Sequence, residues 1–283
     1  MSAPVAAADL KPGLFPGLPF DEYALWPAAN FSLLSKFRRT AMHARHYMLS
    51  GSEGSERMRA GWLAHVAILE PRVFERDYVA APKLDRRTKV GKAGWADFVS
   101  AHKDQEALTE EEFGRCHRLS RAVHEHQTAG EILRGAGINE ASLLWRDEET
   151  GTPCKARLDR IGSYQGRPTI VDVKTTTSAA RRDWERSVAS LAYHEQAAHY
   201  LEGASALAPL DRLFLWIVVE QDEPHGVAVY ETEDAALSQG RDDCHRHLRM
   251  YAECLETGLW PGYAPGIDYA GIPAWAYRSL DAD

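Results

Sequence analysis

Residues 167–177 read RPTIVDVKTTT. Ile170, Val171 and Val173 alternate with Asp172 and Lys174, and the β-branched content marks a strand. A strand buried on both faces normally excludes charge, because an unpaired buried ion is very costly. Asp172 and Lys174 are two apart, so they point to one face. The strand pattern just before, TPCKARLDRIGSY (152–164), offers Asp159. Side by side, the two strands place Asp159 and Asp172 within one metal's reach, and carboxylate oxygens suit Mg²⁺ or Mn²⁺. Lys174 would then orient or help deprotonate a water, or stabilise charge on a phosphate. The alternative is a buried Asp–Lys ion pair in the sheet.

Outward from this strand the pattern continues on both sides. NEASLLWRDEE (139–149) is a third strand, with Gly151 and QGRP (165–168) as turns. A helix is expected over 178–207. In it Gln196 and Tyr200 are four apart and share a face; they suit phosphate contacts or support of the lysine, or else belong to an ordinary amphipathic helix. Strands at 211–221 and 225–232 follow, then a helix over 233–257. Upstream the chain reads as helical: 31–49 with a break near 38–40, then 56–69, ended by Pro71. In that second helix Gly61 stands one turn before His65. A helix-interior glycine marks a close approach by backbone or ligand. His65 is a metal ligand through neutral imidazole, or a structural histidine. Residues 79–92 read as a loop carrying +4, and 93–135 as helices, with the −4 run KDQEALTEEE (103–112) as solvated helix surface. Residues 1–29 read as a surface arm. The tail from Gly258 reads as irregular, with Trp260, Tyr263, Tyr269, Trp275 and Tyr277 as a packing strap.

The chain has 283 residues, 45% hydrophobic and 26% charged, which excludes disorder, collagen and a disulfide mini-protein. No apolar run reaches the roughly 18 residues of a membrane span, and no signal peptide is apparent at the start. The net charge of −8 means that any nucleic-acid site is local. Cys116, Cys154, Cys244 and Cys254 are far apart, which argues against an iron–sulfur or zinc–cysteine site and fits a reducing cytoplasm. Of the twelve histidines, the close pairs 43/46, 124/126 and 245/247 are expected at the surface or as caps. His194 and His199 are expected to flank the Gln196 face and line the cleft without ligating. There is no G-x4-G-K-[ST], so ATP use is not expected.

Taken together, Gly61–His65, Asp159, Asp172–Val173–Lys174 and Gln196–Tyr200 resemble the RecB-like branch of the PD-(D/E)xK nuclease superfamily. GWLAHVAILEPRVFERDYVAAP, LDRRTKVGKAGW, EASLLWRDEETGTPCKARLDRI and IVDVKTTTSAA are similar to the RecE-type exodeoxyribonuclease VIII nucleases of phages and prophages, over about 30–263. The resemblance implies an α/β restriction-endonuclease-like core, a central mixed sheet flanked by helices, with a helical N-terminal half. It divides the chain into an arm (1–29), one nuclease domain (30–263; helical part 30–137, catalytic core 138–257) and a tail (264–283).

The resemblance also implies roles. Asp159, Asp172 and the Val173 carbonyl would hold Mg²⁺ (Mn²⁺ also serving), with His65 as a further ligand. Lys174 would position the attacking water, and Glu140 would be an auxiliary acid. Arg86, Arg87 and Lys89, with Gln196 and Tyr200, would contact DNA. The implied activity is 5′→3′ exonucleolysis of double-stranded DNA ends, leaving 3′ single-stranded tails for an annealing protein in recombination. Such relatives form trimeric or tetrameric rings, whose channel reconciles DNA with −8. They work in the cytoplasm of a bacterial host. The other readings are a repair nuclease acting on single strands or endonucleolytically, and a DNA-end-binding scaffold without turnover.

Overall fold

The computed structural model describes residues 11–51 and 54–272. In chain order these are β1 (Gly13–Phe15), α1 (Phe20–Ala24), α2 (Phe31–Leu34), α3 (Ala41–Ser50), α4 (Glu56–Leu69), α5 (Pro71–Asp77) and β2 (Tyr78–Ala80). Then come α6 (Lys89–Ala101), β3 (Glu106–Leu108), α7 (Glu110–Glu125), α8 (Gln127–Arg134), β4 (Gly137–Arg146), β5 (Pro153–Tyr164) and β6 (Arg167–Thr176). The last are α9 (Arg181–Ser190), α10 (Tyr193–Leu207), β7 (Leu213–Glu220), β8 (Val227–Glu231) and α11 (Asp234–Thr257).

Six strands form one mixed sheet in the order β1-β4-β5-β6-β7-β8. β4, β5 and β6 are an antiparallel meander. β7 lies parallel to β6, from Thr169↔Leu213 to Thr176↔Glu220, so the chain must cross over between them; α9 and α10 make that crossover. β7 is apolar from Leu213 to Val219 and buried on both faces. On one face Ile170, Phe214, Trp216 and Val218 pack with Ala197 and Ala204 of α10 and Leu248 of α11. On the other, Val171, Val173, Ile217 and Val219 pack with Ile68 of α4, Leu119 of α7 and Ile132 of α8. The result is an α/β fold with helices on both faces of a mixed sheet.

Several elements differ from the sequence reading. The expected surface arm is built into the fold from Gly13 onward. β1 pairs with β4 (Gly13↔Leu144), and Ala29 bridges Cys154. Lys155 on β5, 5% exposed, donates its Nζ protons to the carbonyls of Tyr23 (2.9 Å), Ala24 (3.1 Å) and Trp26 (2.7 Å). One backbone stretch thus absorbs all three donors of a buried ammonium.

The expected single helix over 178–207 is two. Between α9 and α10, Ala192 takes a left-handed backbone with φ of 57°. The loop expected over 79–92 is shorter, because β2 occupies its start and Thr88 caps α6. The acidic run 103–112 is helix surface only at its end: Glu110 to Glu112 form the first turn of α7, while β3 takes Glu106–Leu108. Thr109 caps that helix in a reciprocal capping box with Glu112. Three of the run's acids are in ion pairs, Glu106 and Glu112 with Arg59 and Glu110 with Lys83. Pro71 ends α4 as expected and also opens α5, where its missing N–H is not needed.

Among the described tail residues, 258–272, there is no helix or strand, as expected. Trp260 packs against Phe37 and Tyr251, and Tyr263 against His43. Tyr269 is fully exposed and is not part of a strap. Trp275 and Tyr277 lie outside the described residues. No helix among the described residues is long and apolar enough to cross a membrane.

Candidate active site

β5 and β6 pair from Tyr164↔Arg167 to Arg160↔Val171 and then part. The next facing positions are Asp159 and Asp172. Asp159 itself closes the broken ladder: its Oδ2 accepts the Val173 N–H at 2.7 Å. The same oxygen is 3.3 Å from His65 Nδ1 of α4. On β6, Val171 and Val173 pack towards α4, so Asp172 and Lys174 turn to the α10 side. There the Lys174 ammonium pairs with Asp172 Oδ2. Gln196 Nε2 donates to Asp172 Oδ1 at 3.1 Å and to Tyr200 Oη at 2.9 Å. The shared helix face of Gln196 and Tyr200 is therefore real and rests on the Asp172 carboxylate. Lys174 Nζ also stands 4.9 Å from the Tyr193 ring and 5.6 Å from the Trp216 ring, an aromatic cradle for its charge.

The four charges set one another. Burial pushes the Asp172 carboxyl up, Asp159 adds to that and Lys174 opposes it; the net is a raised pKa. Burial also acts upward on Asp159, but His65, Lys174 and the Val173 N–H outweigh it and hold it low. Burial acts to lower His65, yet the Asp159 charge leaves it above its ordinary value. Burial and Asp172 push the Tyr200 hydroxyl well up, so it stays a neutral phenol that can donate.

Glu140 lies beside this gap. The β4–β5 register passes from Asn139↔Arg160 to Ala141↔Leu158, and Glu140 between them has φ of 51°, uncommon for a non-glycine residue. Its Oε2 accepts Arg157 Nε at 2.8 Å, and Arg157 Nη1 donates onward to Leu18 O at 2.7 Å. Burial, then Asp159, raises the Glu140 carboxyl. A cavity of about 330 Å³ joins Glu140, Arg157, Asp159 and His65 to Trp62, Tyr78 and Phe20. A second, of about 430 Å³, is lined by His65, Lys174, Thr175 and Tyr193. His65 borders both.

Gly61 does not mark a tight protein contact. An added Cβ would meet only Thr175 Oγ1, at 3.9 Å, which leaves room for a ligand rather than a neighbouring backbone. Arg86, Arg87 and Lys89 are exposed, as phosphate contacts require, but none lines either cavity. Arg86 lies 4.4 Å over the Trp95 ring. The loop leaves the site region just after Tyr78.

The donor set suits a divalent cation. Asp172 Oδ2 is buried and its partner is the Lys174 ammonium, so a cation bound there would share this oxygen with the lysine. Carboxylate oxygens with one imidazole match hard, octahedral ions. The ligand atoms of His65, Asp159 and Asp172 are not drawn together within 4.8 Å; among the described residues that closeness is reached by His194, Glu195 and Asp243. The Val173 N–H, rather than its carbonyl, is what Asp159 engages.

The profile of the PDDEXK-like domain of unknown function DUF3799 matches residues 30–272. The chain belongs to this family. Among solved structures, a candidate exonuclease from Eubacterium rectale is similar at a TM-score of 0.54 and 12% identity, covering 82% of each chain. That likeness shows a shared fold. An alkaline exonuclease from Laribacter hongkongensis overlaps at a TM-score of 0.29 and 12% identity, over 69% of this chain and 91% of its own, too weak to carry an argument. No curated protein matches. Within this PDDEXK-like domain, Asp159, Asp172 and Lys174 stand where β5 and β6 part.

Sequence reading missed Arg157, Trp62, Phe20, Tyr193 and Trp216. Arg157 carried a signal, being two residues before Asp159 on one strand. Trp216 carried none, because its place beside Asp172 depends on the parallel β6–β7 register. Two histidine expectations are corrected. His199 is fully buried, 4.7 Å from the Trp145 ring, and lines no cleft. His247 is buried rather than at the surface or capping. His126 does cap α8.

Proposed function

We propose that the chain is a divalent-metal-dependent DNA nuclease acting at duplex ends, a 5′→3′ exonuclease that leaves 3′ single-stranded tails for an annealing protein. The observation that carries the reading is the Asp159–Asp172–Lys174 set at the point where β5 and β6 part, within a PDDEXK-like fold. The polarity, the recombination role and the phage or prophage setting rest on the likeness of LDRRTKVGKAGW and IVDVKTTTSAA to RecE-type nucleases.

Asp159 and Asp172, with His65 and the Val173 carbonyl, would hold Mg²⁺ or Mn²⁺, and Glu140 would stand by as an auxiliary acid. The cation supplies charge neutralisation on the phosphodiester and acidifies a water. Lys174, held beside the Tyr193 and Trp216 rings, orients that water and meets phosphate charge. Gln196 keeps Asp172 in place, and the neutral Tyr200 hydroxyl is free to donate to a phosphate. Arg86, Arg87 and Lys89 grip backbone phosphates outside the centre. A trimeric or tetrameric ring would thread the duplex and lend processivity to a chain of charge −8.

The deciding experiment uses linear duplex labelled separately at its 5′ and 3′ ends, with Mg²⁺, beside a closed circle. Early release of the 5′ label with an intact circle supports the proposal. Nicking of the circle, or early 3′ release, moves the chain to the repair-nuclease reading. Cleavage of neither by wild type, with DNA ends still bound, supports the scaffold.

A further inference from the structure

We infer that His194, Glu195 and Asp243 form a second cation site, fitted to Zn²⁺, at the α10–α11 interface. The helices cross closely there: a Cβ on Gly240 would fall 2.3 Å from the His194 carbonyl oxygen. One ligand atom from each of the three residues lies within 4.8 Å of the others.

Each ligand is held as ligands are. His194 Nδ1 lies 3.2 Å from the Val188 carbonyl, which assigns the proton to that nitrogen. Its Nε2 is left as a lone pair facing Asp243 Oδ2 at 3.9 Å, too far for a hydrogen bond. Asp243 is steadied by Arg246 on Oδ1 and by Gln239 Nε2 on Oδ2 at 3.1 Å. Glu195 is 2% exposed; Arg38 Nε stands 3.4 Å from its Oε1, while its Oε2 has no hydrogen-bond donor.

A separate residue points to the same vacant lone pair. His247, one turn after Asp243 and 1% exposed, aims Nδ1 at Glu195 Oε2 from 3.4 Å, and that nitrogen too is without a hydrogen bond. Buried polar atoms are nearly always satisfied. Either a proton on His247 Nδ1 or a cation seated between the two atoms satisfies both, and the metal titration below tells the two apart. Two ligands bound about 2.1 Å from a tetrahedral ion stand about 3.4 Å apart.

The donors are the same in kind as at the Asp172 centre, one imidazole and two carboxylates; what points to Zn²⁺ here is the closeness of the three ligand atoms, within 4.8 Å, which suits a small four-coordinate ion. His194 and Gln239 also line a cavity of about 590 Å³, which gives the ion an entry path and a fourth position for water. The site shares no ligand with the Asp172 centre and does not rest on the proposed function. It does border it: Glu195 precedes Gln196, so an ion here fixes the N-terminal turn of α10 that presents the Gln196 amide to Asp172.

The test uses the full chain with Asp159→Asn and Asp172→Asn, which removes both carboxylates of the first centre. After chelation and dialysis it is titrated with Zn²⁺ by calorimetry, and with Co²⁺ read by its visible ligand-field absorption. One equivalent of Zn²⁺ is expected, not displaced by millimolar Mg²⁺, with a rise in melting temperature. Adding Asp243→Asn or His194→Gln should weaken uptake more than tenfold and abolish the rise, while the metal-free melting temperatures and circular dichroism stay close to the parent. No uptake by the parent, or uptake unchanged in both ligand variants, overturns the site. If a ligand variant unfolds, Glu195→Gln replaces it under the same criterion.

Discussion

Gly61 faces two opposing demands. In the interior of α4 a glycine is less stable than alanine by about 0.5–1 kcal/mol, and the nearest atom to an added methyl is 3.9 Å away. Gly61→Ala is therefore expected to raise the melting temperature slightly. If the open space serves a nucleic acid, the same change lowers nuclease activity; unchanged activity in a stabilised variant would show that the space is unused. Asp172→Ala should eliminate cleavage with the fold intact by circular dichroism, and wild-type rates in that variant would sink the metal assignment. Lys174→Ala should lower the rate with little loss of metal binding, read by calorimetry. The main site residues were legible because their spacings obey strand and helix periods: two for Asp172 and Lys174, four for Gly61–His65 and Gln196–Tyr200. Their partners were not. Which residue meets Lys174 depends on how β7 and α10 are laid against β6, and no local period encodes that.

The segment 13–29 is held by β1, by Arg157 on the Leu18 carbonyl and by one buried side chain, Lys155. Lys155→Ala removes a buried ammonium from three carbonyls. Hydrogen bonds to charged groups contribute about 1.5–3 kcal/mol each; the same change also removes the cost of burying the ammonium, so the net loss expected is roughly 3 kcal/mol. The loosened segment should be cleaved near exposed Leu25 by dilute protease, with the rest of the chain resistant; an uncut segment would show that β1, Arg157 and the Ala29 bridge suffice without Lys155. Long periodic elements such as α4, α11 and β4 to β7 could be read from sequence. Short ones could not: β1, β2 and β3 are three residues each, below the length at which alternation is visible. The break at Ala192 was hidden for a different reason. Neither glycine nor proline marks it; the turn is imposed by packing, with Ala192 fully buried.

For the molecule as a whole, acid is the informative perturbation. Burial depresses His199 to about 4, against an ordinary value near 6.5. Below pH 6.5 the unfolded chain takes up a proton that the native chain refuses, so stability falls as pH drops from 6.5 towards 4. This one group accounts for about 3 kcal/mol over that window. Urea unfolding of His199→Phe should give a shallower acid limb than wild type, and parallel limbs would mean that His199 is not neutral in the fold.

Asp159 holds the Val173 amide proton through one of the two oxygens of the carboxylate that a cation would draw on. That proton is therefore a gauge. Its nuclear resonance, in an otherwise continuous strand, should shift whenever the carboxylate is drawn elsewhere. Loading of the centre can then be followed in the intact molecule, with no substrate present and no bond cut.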